Sequence, residues 1–160
     1  SDLEHYQLLA GLAKVHKPRS TVEVGTYQGA AAAVLSVDSH TVTTFDIAPL
    51  NQIPGAIVDL TDRYPNIRQI IGDLQQPETW QDNVEVLSSA DLIFVDGPKD
   101  GVFEDVVVPR ILEVAKPGSL LILDDIRFAC MQDLWKRLIE YPRIDLGSFG
   151  HFSGTGIVFR

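Results

Sequence analysis

The residues best suited to bind a ligand lie in one short stretch, from Thr21 to Gly29. A run rich in β-branched residues leads to Glu23 and Gly25, and Gly29 precedes an alanine-rich segment. This order predicts a strand, a glycine turn and a helix start, with the backbone open to a ligand. Asp46 ends the next strand-like run, about 20 residues after the turn, where nucleotide-binding α/β sheets bind a ribose. These features predict a ligand built on a nucleoside.

The glycine spacing separates two kinds of nucleoside ligand. A dinucleotide-binding turn needs three glycines so that the helix start can approach a pyrophosphate. Tyr27 stands where the second of these glycines should be, and its side chain would obstruct a pyrophosphate. The spacing therefore argues against a dinucleotide ligand. Asp46 could alternatively act as a helix N-cap, and Glu23 as a capping carboxylate at the strand end.

Three more carboxylates follow strand-like runs further along the chain. Asp96 ends the fourth run, and Asp124 and Asp125 end the fifth. The carboxyl ends of neighbouring parallel strands meet at the ligand-binding edge of a sheet, where crowded carboxylates repel one another unless protonated or neutralised. Mg²⁺ would relieve that repulsion, whereas the alternative is that Asp124 and Asp125 cap the next helix. Lys99 is either a general base, if its pKa is lowered, or an exposed salt-bridging lysine.

The elements that must position these residues alternate along the chain. Near-continuous apolar runs are typical of strands buried on both faces of a parallel sheet. Predicted strands are Thr21–Gly25, Thr41–Asp46, Ile67–Ile71, Asp91–Asp96, Ser119–Leu123, Arg143–Phe149 and Gly156–Phe159. Helical spacing is found in Leu3–Val15, Gly29–Val37, Leu50–Tyr64 (broken near Pro54 and Gly55), Pro77–Ser88, Phe103–Ala115 and Phe128–Tyr141.

The last two strands are too close for a crossover helix, so they must form an antiparallel hairpin. The predicted fold is therefore α/β, a doubly wound and mostly parallel seven-stranded sheet with helices on both faces and a C-terminal antiparallel hairpin. With 160 residues, we expect a single domain over 1–160.

The bulk composition narrows the classes of partner. The net charge of −9 disfavours nucleic acid, whose binding depends on Lys and Arg. No apolar run is long enough to span a membrane, and no basic start precedes an apolar stretch, so neither a membrane nor a signal peptide is expected. The single cysteine forbids a disulfide within the chain, which fits a cytoplasmic protein.

The order of these motifs resembles the class I S-adenosylmethionine-dependent methyltransferases. The resemblance covers residues 21–160 and is carried by five segments in the expected order. These are Glu23 to Gly29, Asp46, Gly72-Asp73-Leu74, Asp91 to Gly97, and Lys116-Pro117-Gly118-Ser119 before an apolar strand.

The resemblance implies that S-adenosylmethionine is the cofactor. Glu23 would then contact the ligand amine, Asp46 the ribose hydroxyls, and Asp73 the adenine, unless Asp73 caps the helix that follows. The cofactor-binding residues that the resemblance implies are Glu23, Gly25, Thr26, Tyr27, Gly29, Asp46, Ile47, Asp73, Leu74 and Asp96.

Within this family the chain is most similar to small-molecule O-methyltransferases of the catechol and caffeoyl-coenzyme A types. The similarity lies in Asp96-Gly97-Pro98-Lys99 and in Asp124-Asp125. In metal-dependent members these acidic positions hold a divalent cation, so the resemblance implies Asp96, Asp124 and Asp125 as metal ligands and Asp96 and Lys99 as catalytic residues. Two departures concern the acceptor side: Pro98 replaces an acidic residue, and Asp125 replaces an asparagine.

The expected reaction is transfer of a methyl group to an oxygen of a small-molecule acceptor, with metal assistance left open. Two rivals remain at this point. One is a different S-adenosylmethionine-type transferase on the same fold, and the other is a non-catalytic nucleoside-binding or assembly subunit. The oligomeric state is also left open, because apolar residues of the first helix could form the interface of a homodimer.

Overall fold

The computed structural model describes residues 2–128, 130–147 and 152–160, with Asp2 and Leu3 described by their backbone alone. Helices and strands alternate over most of this length. The strands are β1 Ser20–Val24, β2 Thr41–Asp46, β3 Ile67–Ile71, β4 Leu92–Val95, β5 Leu120–Leu123, β6 Arg143–Asp145 and β7 Gly156–Phe159. The helices are α1 Asp2–His16, α2 Ala30–Ser36, α3 Leu60–Arg63, α4 Pro77–Ser89, α5 Phe103–Val114 and α6 Met131–Arg137. Within these ranges, no helix is both long and apolar enough to cross a membrane.

The strands form one seven-stranded sheet in the order β3-β2-β1-β4-β5-β7-β6. β1 to β5 run parallel, and β7 is antiparallel to both of its neighbours, β5 and β6. The predicted fold class, including the terminal hairpin, is confirmed. The strand order reverses between β1 and β4, and the carboxyl ends of parallel strands at such a reversal form the usual ligand crevice.

Alternate residues of each central strand face opposite layers of helices, as β4 shows. Leu92 and Phe94 pack with apolar residues of α1 and α2 in one core. Ile93 and Val95 pack with those of α4, α5 and α6 in the other. Both sets are fully buried, which is why the strand is apolar at every position rather than at every second one.

Three predicted elements differ from the observed ones. The segment Leu50–Tyr64 contains only a 3₁₀ turn at Leu50–Gln52 and the short helix α3, because the chain turns at Gly55 with a φ of 76°. The helix predicted over Phe128–Tyr141 is observed as α6, followed by a 3₁₀ turn at Leu138–Glu140.

The strand predicted over Arg143–Phe149 ends earlier, at Asp145. The carboxylate of Asp145 accepts a hydrogen bond of 2.6 Å from the N–H of Gly147, whose φ of 65° turns the chain out of the sheet. Residues 148–151, which include the end of that predicted strand and His151 of the predicted hairpin turn, lie outside the described residues.

Candidate active site

A cavity of about 540 Å³ opens at the carboxyl ends of β1, β2 and β4, beside the reversal in strand order. Its volume lies within the range of small-molecule and cofactor sites. Seven of the predicted cofactor-binding residues line it: Gly25, Tyr27, Asp46, Ile47, Asp73, Leu74 and Asp96. Glu23, Thr26 and Gly29 do not line it. The other lining residues were not among the predicted cofactor-binding residues, although four of them (Val24, Gly72, Gly97 and Pro98) lie in the segments that carry the resemblance: Val24, Phe45, Gly72, Gln75, Gly97, Pro98, Asp100 and Phe103.

The glycine turn after β1 brings three strand ends together. The N–H groups of Gly25 and Thr26 both donate to the carbonyl of Phe45 at the end of β2, at 2.9 and 3.1 Å. Gly25 has a φ of 106°, and a Cβ atom there would lie 2.8 Å from the carbonyl carbon of Asp96 and closer still to its oxygen. Glycine is required at this position because the turn passes directly against the backbone that follows β4.

Gly29 lies directly before α2, outside the cavity lining. It precedes α2 with a φ of 85°, and a Cβ atom there would meet the side chain of Leu60 at 3.0 Å. The residue therefore allows the turn to pack against α3, away from the cavity. Its effect on a ligand is through the shape of the turn.

Asp46 is held at the cavity wall by two backbone groups. Its Oδ2 accepts a hydrogen bond from the N–H of Tyr27 at 2.8 Å, and its Oδ1 accepts one from the N–H of Ala48 at 3.1 Å. The carboxylate thus connects the glycine turn to the loop after β2. Each carboxylate oxygen has a second lone pair, so the group can still accept hydrogen bonds from a diol.

Glu23 is fully buried in β1. The hydroxyl of Thr44 donates to its Oε2. The hydroxyl of Thr26 lies within hydrogen-bond distance of the Thr44 hydroxyl, at 2.7 Å between the two oxygens. Oε1 has no hydrogen-bond partner among the described residues. Burial raises the pKa of Glu23 to about 8, and repulsion from Asp96 and Asp46 adds to the effect of burial. At neutral pH this carboxyl is therefore mainly protonated in the ligand-free protein.

The loop after β3 forms the wall furthest from β4. The N–H of Gly72 donates to the carbonyl of Asp46 at 2.8 Å, which ties this loop to β2. Asp73 Oδ1 accepts a hydrogen bond of 2.8 Å from the N–H of Gln75, and Leu74 is buried against the cavity. Asp73 therefore stabilises the turn before α4, whose N-cap residue is Gln76.

Arg110 of α5 supports the same loop, and the sequence prediction missed it. Its guanidinium lies 4.0 Å from the ring centre of Trp80 and donates to the carbonyl of Leu74 at 3.3 Å. A cation over a tryptophan face is favourable, and more so when shielded from water. No pattern in the sequence links α5 to this loop, because the contact arises only when α4 and α5 pack side by side.

The three carboxylates predicted as metal ligands do come together. Asp96, Asp124 and Asp125 each offer an oxygen, and these oxygens lie within 4.8 Å of one another. Lys99 also lies here: its ammonium contacts Asp96 directly and is 3.2 Å from Asp125 Oδ2 and 3.9 Å from Asp124 Oδ2. The four side chains form one ion-pair cluster beside the cavity. Lys99 forms salt bridges, as the second alternative expected, but its side chain is only 11% exposed because it lies among the three carboxylates.

The charge state of Lys99 follows from this cluster. Burial by itself would lower the pKa of the ammonium, but the charge of Asp96 and its hydrogen bond outweigh burial. With Asp124 and Asp125 adding to the attraction, the pKa of Lys99 is raised above its usual value. A lysine general base requires the opposite shift, so Lys99 is a cation at neutral pH.

A histidine lies against the cluster from the other side. His5 of α1 is buried, and its Nδ1 lies 3.6 Å from Asp124 Oδ1. The hydroxyl of Ser153, before β7, donates to Asp125. These contacts join the first helix and the last hairpin to the loop after β5, a juxtaposition that the sequence order does not reveal.

One protein family and several solved structures are similar to this chain. The family model of a methyltransferase domain matches residues 22–126, which is more than half of the chain. That stretch contains the glycine turn, Asp46 and the ion-pair cluster. No curated protein sequence matches this chain significantly.

Several solved structures share the fold. The O-methyltransferase TomG of Streptomyces achromogenes, solved with SAM, superposes with a TM-score of 0.70 and 16% identity over 96% of this chain and 78% of its own. A methyltransferase of Geobacter sulfurreducens gives 0.73 and 16% over 100% and 80%. The O-methyltransferase of Bacillus cereus, solved with SAH, gives 0.71 and 16% over 97% and 80%. At identities this low, these superpositions establish a common fold and no more.

Proposed function

This chain belongs to the methyltransferase-domain family, and we propose that it transfers the methyl group of S-adenosylmethionine (SAM) to an oxygen of a small-molecule acceptor. The observation that carries the proposal is the adjacency of a nucleoside-sized cavity and a charged cluster. Asp96 belongs to both, since it lines the cavity and pairs with Lys99. A methyl donor in the cavity would therefore lie next to the groups that could activate an acceptor.

The polar groups of the cavity suit the parts of SAM. Asp46 can accept hydrogen bonds from both ribose hydroxyls, because a carboxylate has two acceptor oxygens. Nucleotide-binding sheets commonly place an acidic residue at the end of the second strand for this contact. The apolar side of the cavity, with Leu74 and Phe45, suits the adenine ring. Glu23, beneath Gly25, is the candidate partner for the cationic amine of the methionine part. That amine would favour the ionised form of the buried carboxyl.

The proposed chemical step is a direct displacement. The acceptor oxygen forms a bond to the methyl carbon, the carbon–sulfur bond breaks, and its electron pair stays on sulfur to give the neutral thioether. The hydroxyl proton passes to a carboxylate of the cluster, for which Asp96 is the candidate because it faces the cavity. The protein's main contribution is to hold the two reacting atoms in line, a geometric effect that can reach about 7–11 kcal/mol.

Lys99 would act here as a cation. An ammonium close to the acceptor hydroxyl favours its deprotonated form, because the negative charge that develops on oxygen is stabilised. This role needs no proton transfer to Lys99 and is consistent with its raised pKa. The assignments of Asp96 and Lys99 as catalytic residues thus remain part of the proposal.

The first experiment measures binding of S-adenosylhomocysteine (SAH), the demethylated product, by isothermal titration calorimetry. Wild type is compared with Asp46→Asn, with NAD as the control ligand. Loss of a charged hydrogen-bond acceptor costs about 1.5–3 kcal/mol, so SAH affinity should fall about 10- to 150-fold. Asp62→Asn is the matched control, because Asp62 is an exposed carboxylate on α3, away from the cavity lining.

SAH affinity that is unchanged in Asp62→Asn but about 10- to 150-fold weaker in Asp46→Asn supports the cofactor assignment. Failure of wild type to bind SAH would overturn it. Transfer of a radiolabelled methyl group from SAM is then assayed against a panel of hydroxylated aromatic and aliphatic acceptors. Tight SAH binding with no transfer across that panel would favour the non-catalytic alternative.

A further inference from the structure

The ion-pair cluster has the oxygen donors of a divalent cation site, yet a protein cation already lies among them. The carboxylates belong to Asp96, Asp124 and Asp125, and their oxygens are within 4.8 Å of one another. The Lys99 ammonium contacts Asp96 and lies 3.2 Å from Asp125 and 3.9 Å from Asp124. Its side chain is only 11% exposed. One ammonium therefore faces all three carboxylates.

A metal ion and this ammonium cannot share the position. Mg²⁺ and Ca²⁺ sit about 2.0–2.6 Å from their oxygen ligands. An ion at that distance from the same oxygens would lie against the Lys99 Nζ, with two like charges in contact in a partly buried site. The residues present do not fit a divalent cation while Lys99 keeps this position.

The loop after β4 holds Lys99 in place. Its backbone has a φ of 54°, and its N–H donates to Glu104 Oε1 at 2.9 Å. Glu104 is itself buried at the start of α5. A Cβ atom at Gly97 would collide with Glu104 and Phe103, so the loop is packed closely against that helix. The fold thus anchors the backbone of Lys99, and the three carboxylates hold its ammonium.

The outer oxygens of the cluster also have protein partners. Asp124 Oδ1 faces His5 Nδ1 at 3.6 Å, and Asp125 Oδ1 accepts a hydrogen bond from Ser153. Groups from α1, the loop after β4 and the last hairpin therefore surround the carboxylates. Each of these groups would have to give up or share its contact with a carboxylate if a cation with six or more oxygen ligands were bound.

We propose that the Lys99 ammonium takes the place of a divalent cation between Asp96, Asp124 and Asp125, so that this protein performs methyl transfer without a metal. The statement about activity rests on the proposed function, whereas the statement about the site does not. The two departures from the metal-dependent pattern fit this inference. Asp125 adds a negative charge that the ammonium balances, and Pro98 supplies no ligand.

The test is a titration of the full chain with Mn²⁺ in the presence of SAH. The concentration of unbound Mn²⁺ is measured from the electron paramagnetic resonance signal of the free aquo ion. Wild type is expected to leave Mn²⁺ free up to about 1 mM, the weak end of protein cation sites. Lys99→Met removes the internal cation and keeps the length of the side chain. It is expected to bind Mn²⁺ at least about tenfold more tightly than wild type, because the three carboxylates lose the ammonium that faces all of them.

Lys116→Met is the matched control. Lys116 pairs with Asp91 at 2.5 Å, at the amino end of β4, so its loss should not change Mn²⁺ binding. Wild-type binding in the micromolar range, or a Lys99→Met variant that binds no tighter than wild type, would overturn the proposal. If Lys99→Met does not fold, as judged by circular dichroism, the wild-type titration still decides the question.

The activity arm uses the same protein. Methyl transfer should be unchanged after dialysis against a chelator, and added Mg²⁺ should not accelerate it. Loss of transfer on chelation would refute the metal-free reaction. If no acceptor is methylated at all, the proposed function fails, but the Mn²⁺ titration still reports on the site.

Discussion

The close approach of the glycine turn to β4 makes Gly25→Ala the most informative single substitution. Gly25 has a φ of 106°, and a positive φ costs a residue with a Cβ about 1–2 kcal/mol. The new Cβ would also meet the backbone carbonyl of Asp96, with its carbon at 2.8 Å. Because that neighbour is backbone in the middle of the sheet, relief requires the ends of β1 and β4 to separate. Such overpacking costs about 1–3 kcal/mol more.

The expected loss of stability for Gly25→Ala is therefore about 2–5 kcal/mol in the free energy of unfolding. Gly118→Ala is the matched control, since Gly118 has a similar φ of 87° but nothing within 4 Å of the position of a new Cβ. It should lose only the conformational part, about 1–2 kcal/mol. Equilibrium unfolding in urea, with a single fitted m-value for all three proteins, measures the difference.

SAH calorimetry on the same samples separates stability from binding. Folded Gly25→Ala protein should bind SAH more weakly than wild type, because the turn lines the cavity, whereas Gly118→Ala should bind normally. Equal stability losses for the two variants, within about 0.5 kcal/mol, would show that a Cβ at position 25 does not collide with the carbonyl of Asp96. Glycine would then not be required here by that contact.

Two further predictions concern buried or stacked charges. Burial raises the pKa of Glu23 to about 8, so the folded protein holds this proton more tightly than the unfolded chain. The stabilisation from this bound proton is complete below pH 4.5 and is lost as the pH rises towards about 8. Glu23→Gln should therefore flatten the pH dependence of the unfolding free energy, measured in urea, over that interval. Parallel pH dependences for the two proteins would contradict this. Arg110→Met removes the stacking on Trp80 and the bond to Leu74, and should lower the unfolding free energy by about 1–2 kcal/mol with weaker SAH binding. Unchanged SAH affinity in that variant would mean that Arg110 does not shape the cavity.

Much of the architecture could be predicted from local patterns. The apolar run Leu92–Val95 indicated a strand buried on both faces, and the observed β4 has one helix layer against each face. The short spacing before Gly156–Phe159 required a hairpin, and β7 is antiparallel to its neighbours. The glycine turn and Asp46 were predicted to lie together, and Asp46 accepts a hydrogen bond from Tyr27 in that turn. Periodicity, β-branching and glycine placement act over a few residues, so a linear reading can detect them.

Contacts between distant segments were decided only by the tertiary structure. Glu23 is buried outside the cavity lining, which depends on how Thr44 and Thr26 pack around it. His5 reaches Asp124 only because α1 covers the sheet next to β5. The sequence placed three carboxylates at one sheet edge, but not the lysine ammonium between them. The position of that ammonium depends on a loop that packs against α5. The packing of whole helices and strands decides such an arrangement, and a short stretch of sequence does not contain that information.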